Sequence, residues 1–370
     1  MACHELDHFS MTIIDTPIFI QRLRNLSGSL LLIAAVGGFY AAIPYFQRYF
    51  SAHTHFFAED FTRWQVLLTV TLGYIFLLLV FYLSEKSPGI SKSILCLRAL
   101  RRLATSPQIT WQRGLPTDER LGLLSVLLKA FFAPLMVVWL FDHTALMLSN
   151  GDALLLAWGK PEMDWMALFN DHGFWFLFKL ILFLDVVFFT IGYLIELPAL
   201  KNEIRSVDPT LLGWTVALAC YPPFNDMTSK IFGGGYSADF PQFDHPAFHL
   251  AANALLLGLM AIYTSASIAL NFKASNLTHR GIIAHGPYRF IRHPAYVCKN
   301  LAWWIGLGPA LILAIQTSLT AILMTVGSMF GWSVIYYMRA LTEEDHLRSV
   351  DDTYDQYCQK VKYRFIPGVI

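Results

Sequence analysis

The chain carries little charge for its length. Charged residues make up 14% of its 370 residues, against about a quarter in soluble domains. Hydrophobic residues make up 55%. A composition so poor in charge excludes an ordinary water-soluble domain and makes the continuity of the apolar runs the next question.

Several familiar site signatures are also missing. The five cysteines form no Cys-x-x-Cys pair, so we expect neither a metal site nor a framework of structural disulfides. The glycine triplet at 233–235 lacks the preceding strand and the following lysine of a phosphate-binding loop. No basic-then-apolar opening with a small-residue cleavage site begins the chain, so no cleaved signal peptide is expected.

What the chain does contain is a series of long apolar runs. A helix needs about 20 residues to cross the ~30 Å hydrocarbon core of a bilayer. Five runs reach that length, a sixth block broken near Gln316 predicts a hairpin of two helices, and a shorter run is a half-span or a re-entrant piece. The sequence therefore predicts an all-α, polytopic transmembrane bundle with seven or eight spans. The five runs are 26–46, 64–83, 121–140, 174–195 and 246–270, the hairpin is 301–316 with 318–338, and the short run is 211–221.

Basic residues are unevenly shared between the loops. With eight spans, the loops on the side of both termini hold 21 Lys and Arg, and the opposite loops hold four. The positive-inside rule then places both termini in the cytoplasm. The same count supports 211–221 as a crossing, because without it the segment 271–300 would lie outside. It does not distinguish a plasma or inner membrane from the endoplasmic reticulum.

Two features of the first 245 residues stand out. From Ile94 to Leu103 apolar and basic residues alternate at helical spacing, which is typical of an amphipathic helix on an anionic leaflet or of a basic loop that obeys the topology rule. Asp185 is an ionisable residue in the middle of an apolar run, where such groups face the bundle interior. It is either functional or a buried polar partner.

A polar segment interrupts the apolar sequence from His279 to Tyr296. It holds three arginines, three histidines, two glycines and two prolines. Pro294 suits the first turn of a helix, which would place Arg292 and His293 at a helix N-terminus that favours anions. Gly286 opens a Gly-Pro-Tyr turn that would let the backbone approach a ligand closely.

The apolar hairpin that follows returns the chain to the side it left. Arg339 and Glu343 are four residues apart and share a helix face, and Glu344 follows. We expect this acidic cluster to lie beside Arg292 and His293, forming a cytoplasmic site for a zwitterionic soluble cofactor opposite a lipid. The alternative is that these charges cap helix ends and pair across the hairpin.

At these residues the chain resembles the isoprenylcysteine carboxyl methyltransferase family and the related phospholipid and small-molecule methyltransferases. The shared pattern is His…Gly-x-Tyr-x-x-x-Arg-His-Pro-x-Tyr, an apolar hairpin, then Arg-x-x-x-Glu-Glu-x-x-Leu. It departs at Cys298, where the family usually has glycine, and at 352–357. The resemblance covers roughly 255–370, so we divide the chain into 1–245, of unassigned role, and a catalytic region at 246–370. The matching residues are His279, Gly286, Tyr288, Arg292, His293, Pro294, Tyr296, Arg339, Glu343, Glu344 and Leu347.

The resemblance implies S-adenosylmethionine as methyl donor and a lipid-borne acceptor, most like the carboxylate of a prenylated cysteine. The catalytic residues would be Arg339, which orients the acceptor, and Glu343. An amine or thiol acceptor would need a base, for which His279, His285 or Glu343 are candidates.

The remaining matching residues, apart from Leu347, would bind the cofactor. Glu343 and Glu344 would pair with its positive charge, Arg292 and His293 would hold its carboxylate or ribose, and the two tyrosines would line its adenosine. The expected cofactor-binding residues are His279, Gly286, Tyr288, Arg292, His293, Pro294, Tyr296 and Glu344.

Two other functions compete with this one. The tail from Tyr354 to Pro367 is similar to the end of the sterol reductases, which bind NADPH, although the Gly-Pro-Tyr turn and the Glu-Glu pair favour the methyltransferases. A non-catalytic lipid-binding protein would keep the apolar hairpin without needing both Arg-His-Pro and Glu-Glu. In every case we expect a membrane lipid or lipidated substrate as partner and no nucleic acid; the oligomeric state is not predicted.

Overall fold

The computed structural model describes residues 16–56, 59–161, 163–232 and 242–369, so the glycine triplet at 233–235 lies outside it. This part of the chain is built almost entirely of α-helices, with two short antiparallel strand pairs. The helices are α1 (Thr16–Ala42), α2 (Pro44–Ser51), α3 (Arg63–Ser84), α4 (Lys92–Thr105), α5 (Pro107–Arg113), α6 (Thr117–Ala157), α7 (Trp165–Leu168), α8 (Phe174–Leu194), α9 (Leu211–Leu218), α10 (Phe224–Phe232), α11 (Pro246–Leu270), α12 (Pro294–Gly306), α13 (Gly308–Thr317), α14 (Leu319–Val350) and α15 (Thr353–Lys360). The strands are β1 (His53–Phe56) with β2 (Glu59–Thr62), and β3 (Ser206–Val207) with β4 (Thr278–His279).

The predicted all-α polytopic bundle is confirmed. Within the described residues, six helical segments are long and apolar enough to cross a membrane, and they contain α1, α3, α6, α8, α11 and α14. A seventh crossing is available if α12 and α13, which meet at a 44° bend, act as one span.

The chain divides into two compact units. The first contains Met1–Gln47 and Leu68–Ala130, and the second contains Arg48–Leu67 and Phe131–Ile370. The residues singled out near the C-terminus all lie in the second unit.

Helices α8 and α11 run parallel in the second unit. Near their starts the Nδ2 of Asn253 donates to Oδ1 of Asn170 over 3.1 Å. Farther along both helices the Ser267 hydroxyl donates to Asp185. Because parallel neighbours begin at the same end of the bundle, the chain between them must travel back across it.

Helices α9 and α10 make that return. They have eight and nine residues, or roughly 12–14 Å each at 1.5 Å per residue, so neither spans a bilayer alone. Both pack against α14. The sequence left two interpretations of 211–221, a half-span and a re-entrant piece. The half-span agrees with this geometry, because α10 continues the crossing beyond the break at Pro222 and Pro223.

The C-terminal hairpin is also present. Helix α12 runs antiparallel to α11, since Lys299 lies over the Tyr263 ring while Ala302, farther along α12, packs with Leu256 and Met260. Helix α14 then returns alongside α12. As a result the ends of α8, α11 and α14 meet the start of α12 at one end of the unit.

Candidate functional site

The loop between α11 and α12 is held tightly against the end of α8. The Arg280 side chain is 3% exposed, and its two terminal nitrogens donate to the carbonyls of Asn202 (2.6 Å) and Gly192 (2.8 Å). A Cβ added at Gly192 would overlap the carbonyl oxygen of Ala274. The backbone that carries the site is therefore fixed at close range.

We call the loop between α11 and α12, together with the end of α8 against which it packs, the frame. His279 and Gly286 belong to this frame. His279 lies in β4, is 4% exposed, and places its Nε2 2.9 Å from Oδ2 of Asp351. Burial lowers its pKa, and the Asp351 carboxylate opposes that shift. Gly286 has a φ of +60°, and a Cβ added there would lie 3.0 Å from that of Ala269. Both were expected to bind the cofactor, but their contacts are with the protein itself.

Glu344 is the buried centre of an ion cluster. Its side chain has no exposed surface. It accepts hydrogen bonds from Nε of Arg292 (2.9 Å), Nε2 of His293 (3.1 Å), Nη2 of Arg348 (3.1 Å), and both Nε (2.9 Å) and Nη2 (2.8 Å) of Arg364. We call these five residues the ion cluster.

The ion cluster meets the sequence expectation in one respect and differs in another. The hairpin does bring the acidic pair beside Arg292 and His293, as predicted. However, Glu344 has no surface to offer a ligand, and its contacts are those of the alternative in which charges pair across the hairpin. Pro294 opens α12, as predicted, and is itself buried.

A cleft lies next to the ion cluster, between the ends of α8, α9, α11, α12 and α14 and the loop at 275–278. Five of the residues selected from the sequence line it: Tyr288, His293, Tyr296, Arg339 and Glu343. The other selected residues, His279, Gly286, Arg292, Pro294 and Glu344, lie behind its walls.

Glu343 is the accessible carboxylate of the cleft. Its side chain is 47% exposed, and its Oε2 accepts a hydrogen bond of 2.9 Å from the Tyr296 hydroxyl. The Tyr296 ring stacks on the His293 imidazole, with centroids 5.4 Å apart and planes 9° apart. His293 thus connects the ion cluster to the wall on which Glu343 sits.

Arg339 is buried on the same helix, one turn before Glu343. Its Nη2 donates to Oδ1 of Asn276 over 2.7 Å. Its guanidinium lies 5.1 Å from the Tyr296 ring centroid and 5.3 Å from that of Tyr336. These contacts fix the plane of the guanidinium, a group suited to binding a carboxylate through two parallel hydrogen bonds.

Two residues that line the cleft, Lys299 and Asn276, were not predicted from the sequence. The Nζ of Lys299 lies 5.5 Å from the ring centroid of Tyr263 and 5.7 Å from that of Tyr336. The sequence feature that could have identified it is a lysine within an apolar helix. Asn276 gave no signal, because its position depends on the path of the loop. Asp185, which the sequence did single out, accepts a 2.6 Å hydrogen bond from the Tyr263 hydroxyl.

The cleft changes character with depth along α14. At 1.5 Å per residue, Arg339 lies about 6 Å closer to the middle of the helix than Glu343 does, and Tyr336 lies about 4.5 Å beyond that. The carboxylate is therefore at the mouth, and the two cations Arg339 and Lys299 are deeper, among tyrosine rings. An arrangement of this kind can hold a positively charged ligand outside and an anionic one inside.

Fold and cleft together define a polytopic helical membrane protein with a charged site where a transmembrane hairpin ends. Residues 247–349, which run from α11 to the end of α14, match the Isoprenylcysteine carboxyl methyltransferase (ICMT) family. The resemblance predicted from the motifs is confirmed for this ICMT-like region, and the family supports a membrane methyltransferase in general. No curated protein and no solved structure matches the chain.

Proposed function

We propose that the protein is an integral-membrane, S-adenosylmethionine-dependent methyltransferase acting on a lipid-borne or lipophilic acceptor, most like the carboxylate of a prenylated cysteine. The observation that carries this proposal is the position of Arg339 and Glu343 in one cleft. They lie one turn apart on α14, the arginine buried and the glutamate half exposed.

The residues at the mouth fit the donor. S-adenosylmethionine supplies a methyl group on a positively charged sulfur and also carries an ammonium group. The Glu343 carboxylate offers an exposed negative charge to either cation, and the Tyr288 and Tyr296 rings line the same space. Burial raises the pKa of Tyr288, so its phenol stays neutral.

The deeper residues fit an anionic acceptor. A carboxylate is already nucleophilic, so the protein has only to orient it and to exclude water. Arg339 would hold it in the plane set by Asn276 and the two tyrosines, and Lys299 would add a second positive charge. An ammonium-bearing acceptor would instead meet two cations, which is why we favour a carboxylate over an amine.

The charge of the loops supports a cytoplasmic cleft. In the second unit the segments at the cleft end, 196–209, 271–300 and 339–370, hold two, five and five Lys and Arg. The opposite segments, 141–173 and 222–245, hold one each. Under the positive-inside rule the cleft, and both termini with it, would face the cytoplasm, where a soluble donor is available.

An NADPH-dependent reductase is the second candidate. Its cofactor carries several phosphates, which proteins usually bind with arginine or lysine. Three arginines beside the cleft, Arg292, Arg348 and Arg364, already hydrogen-bond to Glu344. We therefore place the reductase second and a non-catalytic lipid-binding protein third.

One binding experiment separates the three functions. The purified protein in detergent is titrated by calorimetry with S-adenosylmethionine and, separately, with NADPH. We expect S-adenosylmethionine to bind, and Glu343→Gln to weaken that binding about tenfold, since a contact to a charged group contributes roughly 1.5 kcal/mol. Asp345→Asn is the matched control, because its side chain is 79% exposed on the same helix and does not line the cleft.

The outcomes are distinct. Binding of NADPH without S-adenosylmethionine would exclude the methyltransferase and favour the reductase, and binding of neither would favour the lipid-binding protein. For the acceptor, radiolabelled methyl transfer is compared between a prenylated cysteine analogue with a free carboxylate and its carboxamide. Transfer to the carboxamide at an equal rate would exclude the carboxylate acceptor.

A further inference from the structure

Helices α4 and α5 form a short basic elbow in the first unit, between the spans α3 and α6. Residues 92–113 contain five basic and no acidic residues. The elbow also exposes four large apolar side chains: Leu100 (44%), Leu103 (40%), Ile109 (57%) and Trp111 (91%). We call residues 92–113 the basic elbow.

The inner face of α4 is fixed. Ile94, Cys96 and Ala99 are buried. A Cβ added at Gly28 of α1 would lie 2.5 Å from Cδ1 of Ile94, and one added at Gly122 of α6 would lie 2.9 Å from the backbone N of Cys96. Because α1 and α6 approach α4 through these two glycines, α4 cannot rotate to bury its outer face.

The basic elbow keeps a strong positive charge. Arg102 forms a bidentate pair with Glu119 at 2.8 and 2.9 Å, which neutralises one of the five basic residues. Arg98, Arg101 and Arg113 add charge on the same two helices. A segment that combines arginines with exposed leucine, isoleucine and tryptophan is complementary to a surface that is both anionic and apolar.

The connections of the basic elbow keep it close to the ends of two spans. Seven residues separate Ser84 of α3 from Lys92, and three separate Arg113 from Thr117 of α6. Fully extended, these connections reach only about 25 and 10 Å. The basic elbow therefore stays close to the ends of α3 and α6, and the end of a span is the level of the lipid headgroups, where tryptophan is favoured.

We propose that the basic elbow is a binding site for anionic phospholipid headgroups. Its arginines contact the phosphate and the additional negative charge of the lipid, while Trp111 and its apolar neighbours insert at the level of the upper acyl chains. This site is separate from the cleft and does not depend on the function proposed for it.

The test uses the full-length protein in nanodiscs of phosphatidylcholine. Two preparations are compared, one with a minor fraction of brominated phosphatidylglycerol and one with the same fraction of brominated phosphatidylcholine. Bromine quenches the fluorescence of nearby tryptophan. The Trp111 signal is the fluorescence difference between the protein and Trp111→Phe. The matched control is the difference for Trp158→Phe, because Trp158 is 71% exposed at the other end of α6.

We expect brominated phosphatidylglycerol to quench Trp111 at least about twofold more than brominated phosphatidylcholine, because anionic lipid is enriched around arginine. The excess should disappear in high salt, which screens exposed charges, and in the double variant Arg98→Gln/Arg101→Gln. Trp158 should show no preference between the two lipids.

Two results would overturn the proposal. Equal quenching of Trp111 by both lipids would show contact with the bilayer but no headgroup site. No quenching by either would mean that water or another protein covers the outer face. Both results come from the comparison of the protein with Trp111→Phe, so they stand even if the double arginine variant does not fold.

Discussion

Two neighbouring glutamates on α14 lie in opposite surroundings. Glu344 has no exposed surface and is bonded to three arginines and a histidine, whereas Glu343 is 47% exposed and accepts one hydrogen bond from a tyrosine. Successive helical residues project about 100° apart, so an acidic pair can face two environments at once. One carboxylate of the pair can then hold the fold together while the other remains available to a ligand.

The ion cluster and the cleft are nevertheless coupled. Arg292 comes from the loop before α12, Arg348 from α14 and Arg364 from the C-terminal tail, so Glu344 joins three segments. His293 bonds to Glu344 with Nε2 and stacks on Tyr296, which in turn bonds to Glu343. The comparison therefore predicts that changes in the ion cluster act first on stability, and changes in the cleft first on ligand binding and catalysis.

The largest effect should follow from Glu344→Gln. The change removes the buried anion to which three partly exposed arginines bond, and breaking a fully buried ion pair in this way costs about 3–5 kcal/mol, which water at the arginines reduces. We expect a large fall in the Tm of the detergent-solubilised protein. Asp345→Asn, on the next residue but exposed, should leave the Tm unchanged; equal Tm values for both variants would contradict the structural role of Glu344.

Arg339→Lys should act on the cleft instead. Lysine keeps the charge but loses the planar fork that bonds to Asn276 and lies over two tyrosine rings. We expect kcat to fall about 100-fold, as for the loss of an aligned transition-state contact, with S-adenosylmethionine affinity nearly unchanged. The control is Arg289→Lys, in the exposed loop before α12. A variant that loses donor affinity and keeps its kcat would show that Arg339 serves the donor.

Much of this arrangement could be predicted from the sequence. Long apolar runs gave the spans, because their length is set by the bilayer. Pro294 marked the start of α12, and the even number of crossings in a hairpin brought the acidic pair back beside Arg292 and His293. The division into 1–245 and 246–370 rests on the motifs and stays a prediction of functional regions.

The remainder depended on details that no local pattern encodes. Which glutamate faces the cleft is set by the rotation of α14 against α12. The position of Asn276 depends on a loop in which Leu277 has a φ of +62°, a conformation that its sequence does not signal because leucine rarely adopts it. His279 and Gly286 both match the family motif, but a motif does not show what a residue contacts. In the folded chain they contact Asp351 and Ala269 and so help to hold the loop between α11 and α12 in place.

The frame itself can be tested at Gly192. A methyl group there must displace the carbonyl of Ala274, and overpacking of this kind costs about 1–3 kcal/mol. Gly192→Ala should lower the Tm and, by moving Asn276, also lower kcat. Gly258→Ala is the matched control in α11, since a Cβ there meets nothing within 4 Å and alanine favours the helix. If the two variants have the same Tm, α8 does not approach the loop as closely as described.

The smallest expected effect is a pH dependence at His279, which does not itself line the cleft. Burial lowers the pKa of this imidazole below its ordinary 6.5, with the Asp351 carboxylate opposing the shift and Arg205 adding to it. In the unfolded chain His279 takes up a proton near pH 6.5, and in the folded protein only at lower pH. Its contribution to stability is therefore complete above pH 6.5 and is lost as the pH falls towards the folded pKa.

Asp351 does not obscure this effect. Hydrogen bonds from Thr353 lower its pKa below 3.8, so its own contribution is lost only in stronger acid. Between pH 7 and pH 5 the Tm of His279→Gln should fall less than that of the unmodified protein, by about 2 °C. The exposed His285 provides the control variant, His285→Gln, which should follow the unmodified protein. A His279→Gln variant with an unchanged pH slope would mean that folding does not shift the pKa of the imidazole, and a Tm that falls more in the variant than in the unmodified protein would mean that the imidazole is already charged in the fold, as a partner of Asp351.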